Sequence, residues 1–148
     1  MVDNVDNNDA PILYQQDDGV AILTMNRGKM INALSEDMLT ALSHHLDKIA
    51  TIGEIKAVIL RSNSAHFCAG HNLKEMTARR QDTDGGHRYF NELFAQCSSM
   101  MKQIVNLPQP VIAEVTGIAT AAGCQLVAAC DLAVASKTAK FATSGVNI

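Results

Sequence analysis

Apolar and polar residues change their period several times along this chain, and each change marks an element. From Ile12, I-L-Y-Q-Q is followed by Asp17-Asp18-Gly19 and then by V-A-I-L-T-M from Val20. A D-G pair between two short apolar runs supplies the positive φ angles of a tight turn, which predicts a β-hairpin. N-R-G-K-M-I-N-A-L-S from Asn26 is a polar loop ending in Ser35, a good helix N-cap with Glu36 and Asp37 in the first turn. Met38, Leu39, Leu42, Leu46 and Ile49 then fall at helical spacing and predict one amphipathic helix to about Thr51. The β-branched run I-K-A-V-I-L-R from Ile55 predicts a buried strand. A second long helix is expected from about Gly86 to Asn106, with Phe90, Leu93, Phe94, Met100, Met101 and Ile104 available to a core. Pro108 and Pro110 stop it. V-I-A-E-V from Val111 predicts another buried strand, Gly117 an exit turn, the small residues after it a helix, and L-A-V-A-S from Leu132 a further strand. Strands and helices in alternation define an α/β class.

Composition narrows the partners. With 47% hydrophobic and 18% charged residues over 148 positions, the chain can bury a sizeable core. Residues 1–10 read as a disordered acidic tail and residues 11–148 as one domain or part of one. A net charge of -3 offers no field for nucleic acid or an anionic membrane, so neither partner is expected. No apolar run reaches the length of a membrane span. The start M-V-D-N-V-D-N-N-D-A has the pattern of neither a secretory signal nor an Arg-rich transit peptide. Cys68, Cys97, Cys124 and Cys130 lack C-x-x-C spacing, so reduced thiols and a cytoplasmic location are expected. His66 and His71 flank Cys68 without a metal-ligand pattern, and no metal is expected. His44 and His45 are placed on a solvated helix face, and Cys124 in the core.

Two turns carry candidate chemistry. In A-T-A-A-G-C-Q-L-V-A-A-C the run Ala119, Ala121, Ala122 and Gly123 offers almost no side-chain bulk where a helix should start. The opening N–H groups of a helix lack intrahelical partners and point outwards, so a carbonyl oxygen could approach them closely. A-G-H-N-L-K-E-M from Ala69 also leads from a buried strand into a helix. Donors from both turns could converge as an oxyanion hole. Small residues chosen only for tight packing are the alternative reading.

F-C-A-G-H-N-L-K-E-M from Phe67, followed by P-V-I-A-E-V-T-G-I-A-T-A-A-G-C-Q-L-V-A-A-C-D from Pro110, resembles the crotonase superfamily of enoyl-CoA hydratases and isomerases. N-R-G-K-M-I-N-A-L-S and F-A-T-S-G-V-N-I from Phe141 fit the same template, and the form is nearest to the divergent enoyl-CoA hydratase domain-containing branch. The resemblance implies a crotonase-like spiral of ββα units, incomplete at the C-terminus, that binds an acyl-CoA. It implies that the backbone N–H groups of His71 and Ala122 polarise the thioester carbonyl and stabilise an enolate. Ala69, Gly70, His71, Asn72, Leu73 and Lys74, with Gly117 and Ala122, are the implied substrate contacts, Lys74 meeting a phosphate. Lys29 is a second phosphate candidate, a solvated surface lysine being its alternative. The coenzyme A thioester is the implied substrate, with no further cofactor, and a homotrimer or hexamer is the implied assembly of the complete protein.

The sequence departs from the template in two respects. The family's hydratases carry two glutamates; here Gln125 and Gly145 stand at those positions. An amide can orient water but cannot exchange a proton near neutral pH, and glycine supplies no side chain. Ordinary hydration is therefore not expected, and a non-catalytic acyl-CoA-binding or assembly protein is the alternative to an enzyme. The His71 side chain is either a packed turn histidine or a substitute proton carrier. The family domain also continues past the F-A-T-S-G-V-N-I segment, so a fragment of a longer chain is expected.

Overall fold

The computed structural model describes residues 9–143. Strands β1 (Ile12–Asp17) and β2 (Val20–Met25) form the expected antiparallel hairpin. Its turn residues Asp18 and Gly19 both take positive φ, 41° and 77°. After a 3-10 turn at Gly28–Met30 comes helix α1 (Glu36–Ala50), capped by Ser35, whose Oγ accepts the Met38 N–H at 3.2 Å. Strand β3 (Ala57–Ser62) is parallel to β2, and the chain then runs through Cys68 into the short helix α2 (Leu73–Arg79) and the long helix α3 (His87–Asn106). Strands β4 (Val111–Val115) and β5 (Ile118–Thr120), helix α4 (Ala122–Ala129), and strands β6 (Leu132–Ala135) and β7 (Lys140–Ala142) complete the order.

The large sheet has the order β1-β2-β3-β4-β6, parallel apart from its first pair. Its inner face carries Leu23, Met25, Val58, Leu60, Val111, Ala113 and Val115, packed against α1 and α3. All five α1 residues placed at helical spacing are buried. On α3 the buried stripe is Tyr89, Leu93, Cys97, Met100, Met101 and Ile104. Phe94, expected inside, is 49% exposed, because it falls at the edge of that stripe. His45, expected in solvent, is half-buried with its ring stacked on Tyr14 at 5.5 Å. Cys124, expected in the core, is only half-buried on α4.

The strand β5, which the sequence presents only as a turn, creates the spiral. Each circuit lays one strand in the large sheet, one short extended piece beside it, and then a helix. The short pieces stack: Cys68 bridges Ala119 of β5 in parallel, and Ala119 pairs with Phe141 of β7. β3, Cys68 and α2–α3 form one circuit, β4, β5 and α4 the next, and β6 and β7 open a third. Leu132, Val134 and Phe141 lie exposed at that open end.

A buried polar joint holds the first circuit to the loop before α1. Asn32 is fully buried at φ 47°, a left-handed conformation that asparagine tolerates better than most residues. Its Oδ1 accepts the Arg27 N–H at 2.8 Å, while Nδ2 donates to Ser62 Oγ at 2.7 Å and to the Phe67 carbonyl at 3.1 Å. Asn32→Ala would strand these groups away from water. It is expected to cost about 2–4 kcal/mol, read as a lowered urea midpoint with unchanged slope.

Candidate functional site

The two turns singled out in the sequence lie against each other. Gly70 has φ 89°, and a Cβ placed on it would stand 2.9 Å from Ala121 Cβ and 3.1 Å from Ala122 N. A Cβ on Gly123 would stand 2.4 Å from the Cys68 carbonyl oxygen. Only hydrogen fits at either position, so the small residues do pack tightly. The same closeness sets the Ala122 nitrogen beside Gly70, the residue before His71.

The direction of each donor follows from peptide planarity. The Gly70 carbonyl accepts the Leu34 N–H at 2.7 Å, and the Asn72 N–H reaches the Leu34 carbonyl at 3.4 Å. In this parallel bridge between Leu34 and His71, the N–H of His71, trans to the anchored Gly70 carbonyl, points away from Leu34. The Ala121 carbonyl, in turn, accepts the N–H groups of Cys124 at 3.0 Å and Gln125 at 3.2 Å. The trans N–H of Ala122 therefore points out of the start of α4. Ala121 itself has φ 50° and ψ −125°, a region that L-residues avoid at a cost of about 1–3 kcal/mol. Its N–H is tied to the Ala142 carbonyl at 2.9 Å, which helps hold it there.

Other predicted site residues are distributed around this centre. Ala69 is half-buried and donates its N–H to the Ile31 carbonyl at 2.9 Å, which joins the loop carrying Lys29 to the site. Lys29 is exposed on the 3-10 turn. Asn72 caps α2, its Oδ1 accepting from Lys74 N and Glu75 N and its Nδ2 donating to Glu75 Oε1 at 2.9 Å. Leu73 is 71% exposed and Lys74 is exposed. Gly117 has φ 57° and packs elsewhere: a Cβ there would meet the Ala65 carbonyl oxygen at 2.1 Å. Gln125 is exposed, one helical turn after Ala122. Gly145 lies outside the described residues.

The His71 ring packs edge-on against Phe94 with centroids 5.4 Å apart, and its Nδ1 is buried without a hydrogen-bond partner. Burial pushes the imidazole pKa below its ordinary value, and the Leu34 carbonyl partly opposes this. Among the described residues no group of three His, Cys, Asp or Glu side chains is placed to hold a metal ion, and no helix is long and apolar enough to cross a membrane. Sequence reasoning passed over Asn32, the Ala121 strain and the placement of Cys68. An asparagine inside a polar loop was the one signal available for the first; the other two arise only when the turns meet.

Comparison with known proteins bears on the family and the fold. Residues 15–148 match the family described as enoyl-CoA hydratase/isomerase. The chain is 43% identical over 136 residues to the enoyl-CoA hydratase domain-containing protein 3, mitochondrial, of Xenopus laevis, covering 92% of this chain and 45% of that protein. A crystal structure of an enoyl-CoA hydratase from Mycobacterium smegmatis superposes with a TM-score of 0.85 at 50% identity, over 93% of this chain and 52% of that one. The human enoyl-CoA hydratase domain-containing protein 3 superposes with a TM-score of 0.83 at 42% identity and the same coverage. The chain thus spans about half the length of the relatives it matches. The cytoplasmic expectation is corrected by the curated relatives, since the Xenopus and human proteins are both named mitochondrial. Charge and cysteine spacing describe how a chain is solvated and do not report its address. With the ββα spiral and the family match over residues 15–148 in agreement, the chain belongs to the enoyl-CoA hydratase/isomerase family.

Proposed function

We propose that the protein binds an acyl-CoA and holds its thioester oxygen between the N–H groups of His71 and Ala122, stabilising an enolate. The observation that carries this reading is the pair of outward N–H groups on turns that touch at Gly70. Loss of the α-proton moves the C–H electron pair into the enolate and the carbonyl π pair onto oxygen, where the two donors already point. A preorganised donor of this kind is worth about 3–4 kcal/mol in the transition state. Lys74, exposed in the first turn of α2, is assigned to a coenzyme A phosphate, and Lys29 is the second candidate for that contact.

Hydration demands more than the oxyanion hole. Gln125 sits where an acid would face the site from α4, and its amide neither gives up nor takes a proton. Reactions that need chiefly enolate stabilisation, with a base from the rest of the complete protein, fit these residues better. The Gln125 amide also favours a second reading, a non-catalytic acyl-CoA-binding or assembly protein. A homotrimer or hexamer is proposed for the complete protein on the family resemblance. A mitochondrial location is proposed on the names of the curated relatives.

Solvent deuterium exchange at the α-carbon of a bound acyl-CoA tests the enolate. The complete protein is expected to catalyse it, whereas binding without exchange would establish the non-catalytic reading. Hydration of a short enoyl-CoA, followed as loss of enoyl-thioester absorbance, is expected to be negligible. Gln125→Glu together with Gly145→Glu should restore part of it, with a gain exceeding the product of the single changes. Gly70→Ala would force a Cβ into the gap beside Ala122 N at a strained φ. It is expected to abolish exchange and to cost about 1–3 kcal/mol of stability, seen as a lower melting temperature.

A further inference from the structure

Cys68 touches both turns, one through its side chain and the other through its backbone. Its N–H donates to the Ile118 carbonyl at 3.1 Å, and its carbonyl accepts the Thr120 N–H at 3.0 Å, directly before Ala121 and Ala122. The first turn of α4 closes on the same carbonyl, because Gly123 leaves room for it. Its Sγ, meanwhile, donates to the Asn32 carbonyl at 3.2 Å and accepts the Gly70 N–H at 3.4 Å. Burial pushes the thiol pKa up to about 11, so the sulfur keeps the proton with which it donates.

Gly70 needs such an anchor. A glycine at φ 89° is free to rotate the peptides on either side of it. The peptide after Gly70 is held by Leu34, as described above. The peptide before it offers its N–H in a fully enclosed position, and Cys68 Sγ is the acceptor it finds there. Remove that acceptor and a buried donor is left to seek another, which a rotation of the Ala69–Gly70 peptide would achieve. That rotation is taken up at the Gly70 φ, and it leaves the His71 N–H aimed by the Leu34 bond alone instead of by anchors on both sides of Gly70.

We propose that Cys68 is a positioning residue for the thioester site: its thiol locks Gly70 so that the His71 N–H is presented, while its carbonyl holds the turn that presents the Ala122 N–H. The proposal rests on the oxyanion reading of those two donors. It assigns the sulfur no covalent or redox step. Serine, whose hydroxyl can also donate and accept, is the residue able to substitute for it; alanine is not.

The test compares Cys68→Ala and Cys68→Ser in the complete protein. For α-carbon deuterium exchange, the alanine variant is expected to lose about tenfold or more in kcat with little change in KM, since misdirecting one donor acts on the transition state. The serine variant should recover most of that loss. Hydrogen–deuterium exchange of backbone amides, read by mass spectrometry on peptides spanning residues 69–71, should show faster exchange in the alanine variant alone, with α1 and α3 as protected as in the unchanged protein. Equal kcat in all three proteins would overturn the proposal, as would equal losses in both variants accompanied by loss of protection throughout. If the unchanged protein catalyses no exchange, the enolate reading falls, and amide protection at residues 69–71 still decides whether the thiol locks Gly70.

Discussion

The backbone hydrogen bonds between Cys68 and β5 set the geometry on which the rest of the site depends. A spiral of ββα units can place its helix-opening turns side by side only if successive circuits are in register, and the Cys68–Ala119 bridge is where the first circuit meets the second. The contact is close enough to dictate composition. Glycine stands at positions 70 and 123 because any Cβ would meet backbone atoms of the neighbouring turn at 3.1 Å or less. The absence of side chains that lets the circuits close also keeps the opening of α4 free of bulk beside Gly70.

That constraint is held from outside by polar groups rather than by the apolar core. Asn32 joins Arg27, Ser62 and Phe67, Ile31 holds Ala69, and Leu34 holds Gly70 and Asn72. These bonds converge from the loop before α1 onto the segment between β3 and α2. The hydrophobic core formed by α1, α3 and the large sheet orients both ends of that loop, and the buried bonds refine the aim of single peptides. Ala121 carries the cost of this refinement as a φ of 50° that its own side chain disfavours. Strain kept at the opening of α4 fits a turn whose amide direction matters more than its local stability.

On the proposed reading, the two turns supply field without proton chemistry. Two N–H groups can stabilise negative charge on oxygen through all forms of a substrate that reaches enolate, but neither can move a proton. Gln125 stands exposed one turn into α4. The neighbouring His71 ring is pushed towards its neutral form by burial.

Much of this was legible in the sequence. The hairpin followed from Asp18-Gly19, the cap of α1 from Ser35, and the buried face of α1 from five residues at helical spacing, because each depends on neighbours a few positions apart. The two turns that meet at Gly70 were legible too, from small residues between a strand and a helix and from the resemblance those residues carry. Phe94, His45 and β5 were not. Phe94 has the spacing of a core residue, and only the position of α3 against the first turn leaves it half in solvent beside His71. His45 stacks on a tyrosine from a strand that lies well before it in the chain. β5 is three residues long and exists only because Cys68 and β7 flank it. By itself the sequence determined the elements, the family and the chemical types at the site. Tertiary structure alone decided which way each N–H points, since a peptide's direction is set by the partner of its carbonyl, and here those partners come from other circuits of the spiral.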